Sequence, residues 1–129
     1  MENRKLMAMI FISGALAVAL GAFGAHGLKP YLDDTGMSNF QTANRYHFIH
    51  TLLALIYLIW NPTVKFITRT SIELMVGVLL FSGSLYVLAL RAHFQEIPIW
   101  LGAVTPLGGL LFIIAWIEGA IESLKKSKN

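Results

Sequence analysis

The chain has 129 residues and a formal net charge of +3; 56% of it is hydrophobic and 13% charged, against roughly 45–50% and about 25% in an average soluble domain. With a mean hydropathy of +0.64, so small a fold has too few charges to cover its own surface, which excludes a soluble monomer and a disordered chain. There is no cysteine, so disulfides, thiolate-bound metals and thiol nucleophiles are excluded too.

The first apolar stretch runs from Leu6 to Leu28. Arg4 and Lys5 precede it as they would a secretory signal, but the run outlasts a signal's apolar region, so a retained helix over 6–28 is expected. Gly14, Ala17, Gly21 and Ala25 share one face at 3–4 spacing, and Ala15, Ala19, Ala22 and His26 share a neighbouring one. Small residues permit close helix contact where no hydrophobic effect drives association. Two such faces predict a helix central to a bundle, or one that packs both within the chain and against a second copy. A homo-oligomer through Gly14, Ala17, Gly21 and Ala25 is expected on that basis.

A loop over 29–38 follows, with Asp33, Asp34 and Gly36. Ser38-Asn39-Phe40-Gln41 has capping-box form, so the second helix is predicted over 39–60, ending at Asn61-Pro62. The third is predicted over 71–91, with Glu73, Gly77, Ser84 and Arg91 on one stripe, because seven residues are close to two turns. The fourth, over 97–118, carries Gly102, Thr105, Gly109 and Trp116 similarly. Pro106 falls inside it, lacks an N–H and opposes the Gly102 carbonyl, so a kink is predicted there. That freed carbonyl needs another donor in a membrane, and interrupted helices of this kind form binding sites in transporters. Each stretch approaches the roughly 20 residues that span a bilayer. The fold class is all-α: one domain, 1–129, an integral membrane four-helix bundle.

Arg4, Lys5, Lys65, Arg69, Lys125, Lys126 and Lys128 fall on one side of such a bundle, and Lys29, Arg45 and Arg91 on the other. Cytoplasmic loops carry the excess of Lys and Arg, so both termini are expected in the cytoplasm and the protein in the plasma membrane as a multi-pass chain. The basic tail then lies near anionic lipid and is no nucleic-acid patch.

Ionisable side chains inside a bilayer are costly and become functional candidates. Ten residues from Trp60 at about 1.5 Å each place His50 near the midplane, with His47 one turn above on the same face. Ser82, Ser84 and Thr105 fall at comparable depth, and His26, Arg45, Arg91 and His93 near the outer boundary. Three uses of this polar layer compete. The layer binds or moves a small solute, a proton or a lipid headgroup through His26, Arg45, His47, His50, Ser82, Ser84, Arg91 and Thr105. Or His26, His47, His50 and His93 ligate a metal or haem, since imidazole suits such ions. Or the histidines bond helix to helix, one of them to the Gly102 carbonyl, in a structural or assembly protein. No cofactor is required by the sequence. No carboxylate stands inside the first helix, as it does in small drug/proton exchangers. No nucleophile motif, phosphate loop or paired-carboxylate site is apparent either, so a non-enzymatic role is expected.

Four segments, in order, carry a resemblance: Gly21-Ala22-Phe23-Gly24-Ala25-His26-Gly27-Leu28, then Thr42-Ala43-Asn44-Arg45-Tyr46-His47-Phe48-Ile49-His50-Thr51, then Phe81-Ser82-Gly83-Ser84-Leu85-Tyr86, and Thr105-Pro106-Leu107-Gly108-Gly109 with Trp116. Together they resemble the YwdK-like family of small bacterial membrane proteins, over nearly the whole chain. The resemblance implies a four-helix protein of the bacterial plasma membrane, with relatives associated with mitochondria and no assigned function.

Overall fold

Inside lipid, helices are held by shape and by polar groups turned toward one another. The computed structural model describes residues 3–60 and 63–125. It is built in that way from four long helices: α1 (Asn3–Ala25), α2 (Asp34–Trp60), α3 (Val64–Ala89) and α4 (Thr105–Leu124). Among the described residues there is no strand. The helices α1 and α3, and the stretch Ile99–Leu124, are long and apolar enough to cross a membrane. Helix α2 is less apolar because it carries the polar side chains, and it turns one face inward while Phe48, Ile49, Leu52, Ile56 and Ile59 stay exposed on the other. Gly36, Phe40, Ala43, His47, His50, Ala54 and Tyr57 form its buried row at 3–4 spacing, with α1 packed on one side and α3 on the other.

The centre is therefore α2, not α1 as the small-residue pattern predicts. Only one face of α1 is inside, with Leu6, Ile10, Ala17 and Gly24 buried and Gly14 and Gly21 half-buried; Ala15, Ala19, Ala22, Ala25 and His26 are exposed. At Gly24 a side chain would run into the Phe40 ring, so this glycine sets how closely α1 approaches α2.

Several boundaries differ from those predicted. Helix α1 ends at Ala25, and a short 3₁₀ turn, Lys29–Tyr31, replaces the open loop. Helix α2 starts at Asp34, not near Asn39. Asp33 Oδ1 accepts from the Gly36 N–H at 2.7 Å and opens the helix, so the capping-box residues lie inside it. Helix α3 starts seven residues before Ser71, capped by Thr63, whose Oγ1 accepts from the Phe66 N–H at 3.1 Å. A 3₁₀ stretch, Ile99–Ala103, precedes α4. Pro106 thus stands in the first turn of α4, where an N–H has no helical partner to lose, and the expected mid-helix kink gives way to a helix start. The predicted ending at Asn61-Pro62 and the tail residues Lys126 and Lys128 lie outside the described residues.

Helix α3 is α-helical over Val64–Gly77, a π-helix over Val78–Gly83, and α-helical again over Ser84–Ala89. The wider π turns coincide with the closest approach of α4. A Cβ on Gly108 would lie 2.8 Å from the Gly77 carbonyl oxygen and meet the Phe81 backbone. On α4 the buried row is Gly108, Phe112, Ala115 and Gly119, in place of the predicted Gly102, Gly109 and Trp116. Leu6, Ile10, Leu58, Phe66, Ile67 and Ala115 fill one end of the bundle with apolar contacts. Ser13, Asn44, His47, His50, Ser84 and Thr105 lie in the other half, while Thr70, Ser71 and Glu118 stand at this end.

Candidate functional site

Ser13 is the sole polar side chain between Lys5 and His26, and it faces α2. Its Oγ lies 3.1 Å from His47 Nε2 and 2.9 Å from Thr51 Oγ1. On the far side of the same ring, His47 Nδ1 lies 3.2 Å from the Tyr86 hydroxyl of α3. Asn44 Nδ2 donates to that hydroxyl at 3.1 Å and to the Ala17 carbonyl at 2.7 Å. The chain can run either way: Tyr86 to His47 Nδ1, His47 Nε2–H to Ser13 and Ser13 to Thr51, or Thr51 to Ser13, Ser13 to His47 Nε2 and His47 Nδ1–H to Tyr86, with Asn44 donating to Tyr86 in both. The chain ties α1, α2 and α3 together.

His50 turns to α4 instead. Its Nδ1 lies 2.8 Å from the Tyr46 carbonyl, which can only accept, so Nδ1 carries the proton. Its Nε2 then accepts from the Trp116 indole N–H at 3.3 Å. The ring stacks on Phe112, with centroids 3.5 Å apart and planes 7° from parallel. A third link joins Ser84 Oγ to Thr105 Oγ1 at 2.6 Å, and Ser84 also donates to the Phe81 carbonyl at 3.0 Å.

Of the predicted site residues, the structure thus pairs Ser84 with Thr105 and buries His47 and His50. It does not gather the rest. Ser82 is fully buried, and among the described residues its Oγ has no hydrogen-bond partner. Arg45 and His26 are exposed. Arg91 Nε donates to the Ile97 carbonyl at 3.1 Å in the loop before α4. His93 packs edge-on against Tyr31, with centroids 4.9 Å apart. The four histidines expected as metal or haem ligands are accordingly not brought together. Among the described residues no three His, Asp or Glu side chains form a metal-binding group.

Sequence reasoning passed over Ser13, Asn44, Tyr86 and Trp116 as working partners. Ser13 had the clearest signal, a lone hydroxyl in an apolar run. It also set aside any pairing of carboxylates. Glu118 accepts from Arg69 at 2.8 Å and from Thr70 Oγ1 at 3.4 Å, and the Glu73 carboxyl approaches it across the α3–α4 contact.

Beside His47 the bundle is open. Met9, Ile12, Leu16 and Leu20 of α1 and Met75, Val78, Leu79 and Gly83 of α3 form a groove of ≈ 300 Å³. Ser13, His47 and Tyr86 are the polar part of its wall. An apolar cleft with a few convergent polar groups is the usual form of a small-molecule site.

Fold and site together define an integral membrane bundle whose polar side chains face inward. The chain belongs to the DUF423 family, described as "Protein of unknown function", whose profile matches residues 20–109. It is 40% identical over 126 residues to a UPF0382 membrane protein of Haemophilus influenzae, covering 97% of each chain. It is 39% identical over 117 residues to the UPF0382 membrane protein YwdK of Bacillus subtilis, covering 88% of this chain and 91% of that one. With the UPF0382 inner membrane protein YgdD of Escherichia coli it shares 37% identity over 131 residues, covering 98% and 96%. The resemblance drawn from the four segments is therefore correct. No solved structure matches the chain.

Proposed function

We propose that this protein is a non-enzymatic binding protein of the plasma membrane, and that the groove between α1 and α3 takes a small amphiphile from the bilayer. The carrying observation is the placement of His47, Ser13 and Tyr86 in an otherwise apolar wall. A ligand with an apolar body and one hydrogen-bonding group lies along Leu16, Val78 and Leu79 and exchanges a bond with Ser13 or Tyr86. Because both of those partners are hydroxyls that can donate or accept, the His47 chain accommodates either a donor or an acceptor, and passes a proton with the same atoms. The Escherichia coli relative's description as an inner membrane protein supports the location. The surplus of Lys and Arg at the end where α1 begins supports cytoplasmic termini. Gly14, Ala17 and Gly21 pack toward α2 within the chain, so association with a second copy uses the exposed row Ala15, Ala19 and Ala22 beside Ala25.

Native mass spectrometry of the detergent-purified protein tests this reading and reads the subunit count. The expected result is a stoichiometric small-molecule adduct that is lost in Leu16→Trp, which fills the groove, and in His47→Ala, but kept in His50→Ala. An adduct indifferent to Leu16→Trp would sink the proposal.

One observation favours a structural role instead: both nitrogens of each buried histidine are already bonded within the chain. On that reading no adduct appears, and His47→Ala and His50→Ala both act only by lowering stability.

A further inference from the structure

At the end of the bundle where Leu6 and Ile67 are buried, α3 begins and α4 ends beside one another. Lys65, Arg69 and Lys125 converge there on a cavity of ≈ 270 Å³, completed by Thr63, Phe66 and Glu122. Arg69 is bonded to Glu118 and Lys125 to Glu122, while Lys65 makes no ion pair among the described residues. The lining itself holds three cations and one carboxylate, Glu122, so the pocket wall carries surplus positive charge, with Glu118 and Glu73 outside the lining on the Arg69 side. The start of α3 adds donors beside the pocket. Thr63 Oγ1 accepts from Phe66, which leaves the hydroxyl proton free to give. The Val64 and Lys65 N–H groups stand in the first helical turn, where no backbone acceptor precedes them. The cavity also adjoins surface built for acyl chains. Ile72 and Val76 continue the Lys65–Arg69 row down α3, Ile121 and Ile117 continue the Lys125 row down α4, and all four side chains are exposed.

We propose that this pocket seats the phosphodiester headgroup of an anionic phospholipid, with its chains lying along the Ile72–Val76 and Ile117–Ile121 rows. Charge chooses the ligand class: the net positive pocket favours a headgroup of net negative charge over a zwitterion. The adjoining apolar rows favour a lipid over a free phosphate. The site is separate from the His47 groove, and its ligand is tested independently of it.

The experiment adds phosphatidylglycerol or phosphatidylcholine to the detergent-purified full chain and reads bound lipid by native mass spectrometry. Phosphatidylglycerol is expected to bind in preference, and Lys65→Gln to reduce that binding roughly fivefold, the effect of one cation at a membrane surface. Lys65→Arg keeps the binding. His47→Ala keeps it too, so failure of the groove proposal leaves this result intact. Lys65 is exposed, so the melting temperature of Lys65→Gln stays at the parent value and a loss of binding is not a loss of fold. Equal binding of the two lipids, or indifference to Lys65→Gln, overturns the proposal. Displacement of the lipid by millimolar inorganic phosphate also overturns it, assigning the pocket to the free anion.

Discussion

His47 and His50 stand three residues apart on α2 and turn their rings to different helices. His50 must keep its proton on Nδ1, because the Tyr46 carbonyl at 2.8 Å only accepts. His47 meets only hydroxyls: with its proton on Nε2 it donates to Ser13 and accepts from Tyr86, and with it on Nδ1 it accepts from Ser13 and donates to Tyr86. The two rings also belong to different contacts, His47 to α1 and α3, His50 to α4. The same residue type at adjacent turns thus closes the bundle on two sides. Two-bond ¹⁵N–¹H correlation spectra of histidine-labelled protein should show the His50 ring as the Nδ1–H tautomer, and Tyr86→Phe should alter the His47 pattern alone.

Trp116 is mostly exposed yet supplies the indole N–H that His50 Nε2 accepts. Trp116→Phe keeps an aromatic ring on that surface and removes the donor. The expected cost is about 0.6 kcal/mol, the mean for an interhelical hydrogen bond in a membrane, and no more than about 1.7. Reversible unfolding in mixed micelles measures it. A cost well beyond that range would mean that the indole packs rather than bonds.

The Asn44–Tyr86–His47–Ser13 chain should behave as a unit. Ser13→Ala and Tyr86→Phe each break one link on opposite sides of the His47 ring, and each leaves that ring with a nitrogen unpaired. A double-mutant cycle on unfolding free energy is expected to give a coupling of at least about 0.5 kcal/mol. Additive losses would show that His47 binds its two neighbours independently.

How much of this could be read from the sequence depends on which physical signal each feature leaves. The burial of His47 and His50 follows from the cost of polar groups in lipid. The direction each ring faces depends on which helix stands opposite, and spacing on α2 alone carries no such information. Asp33 and Ser38 are both acceptable helix caps, and only the position of the first free N–H, that of Gly36, decides between them. Pro106 reads as mid-helix because the apolar run starts at Ile97; the run is apolar whether it is 3₁₀ or α, so hydropathy cannot find the joint at Thr105. The π-helix over Val78–Gly83 leaves no mark in the residues Val-Leu-Leu-Phe-Ser-Gly. Arg69 and Glu73 stand four apart on α3, but their meeting with Glu118 is a product of the α3–α4 crossing, which no local motif announces.

That crossing makes neighbouring glycines unequal. A Cβ on Gly108 meets backbone of α3, which cannot rotate away, whereas a Cβ on Gly109 meets the Phe81 ring at 3.5 Å, an ordinary contact. Gly108→Ala is expected to lower stability by roughly 1–3 kcal/mol, as overpacking of a close contact does. Gly109→Ala should change it little. Paired unfolding curves of the two variants provide the check, and equal effects would contradict the close approach at Gly108.

Thr105 offers a sharper test of how the end of the π-helix is fastened. Ser84 donates its proton to the Phe81 carbonyl, so the 2.6 Å bond between Ser84 and Thr105 must take its proton from Thr105. Valine has the shape of threonine without that proton. Thr105→Val therefore leaves the first turn of α4 filled and removes one donor, at a cost near the ~0.6 kcal/mol mean for interhelical bonds in membranes. Thr105→Ser restores the donor and should recover most of that loss. Ser84→Ala removes both bonds and leaves the Thr105 hydroxyl half-buried without its acceptor, so it should cost more than Thr105→Val. The expected order of unfolding free energies, measured in one detergent, is parent, Thr105→Ser, Thr105→Val, Ser84→Ala. If Thr105→Val matched the parent while Ser84→Ala still fell, Ser84 would be acting through the Phe81 carbonyl alone, and the link from α3 to α4 would rest on the Gly77–Gly108 contact.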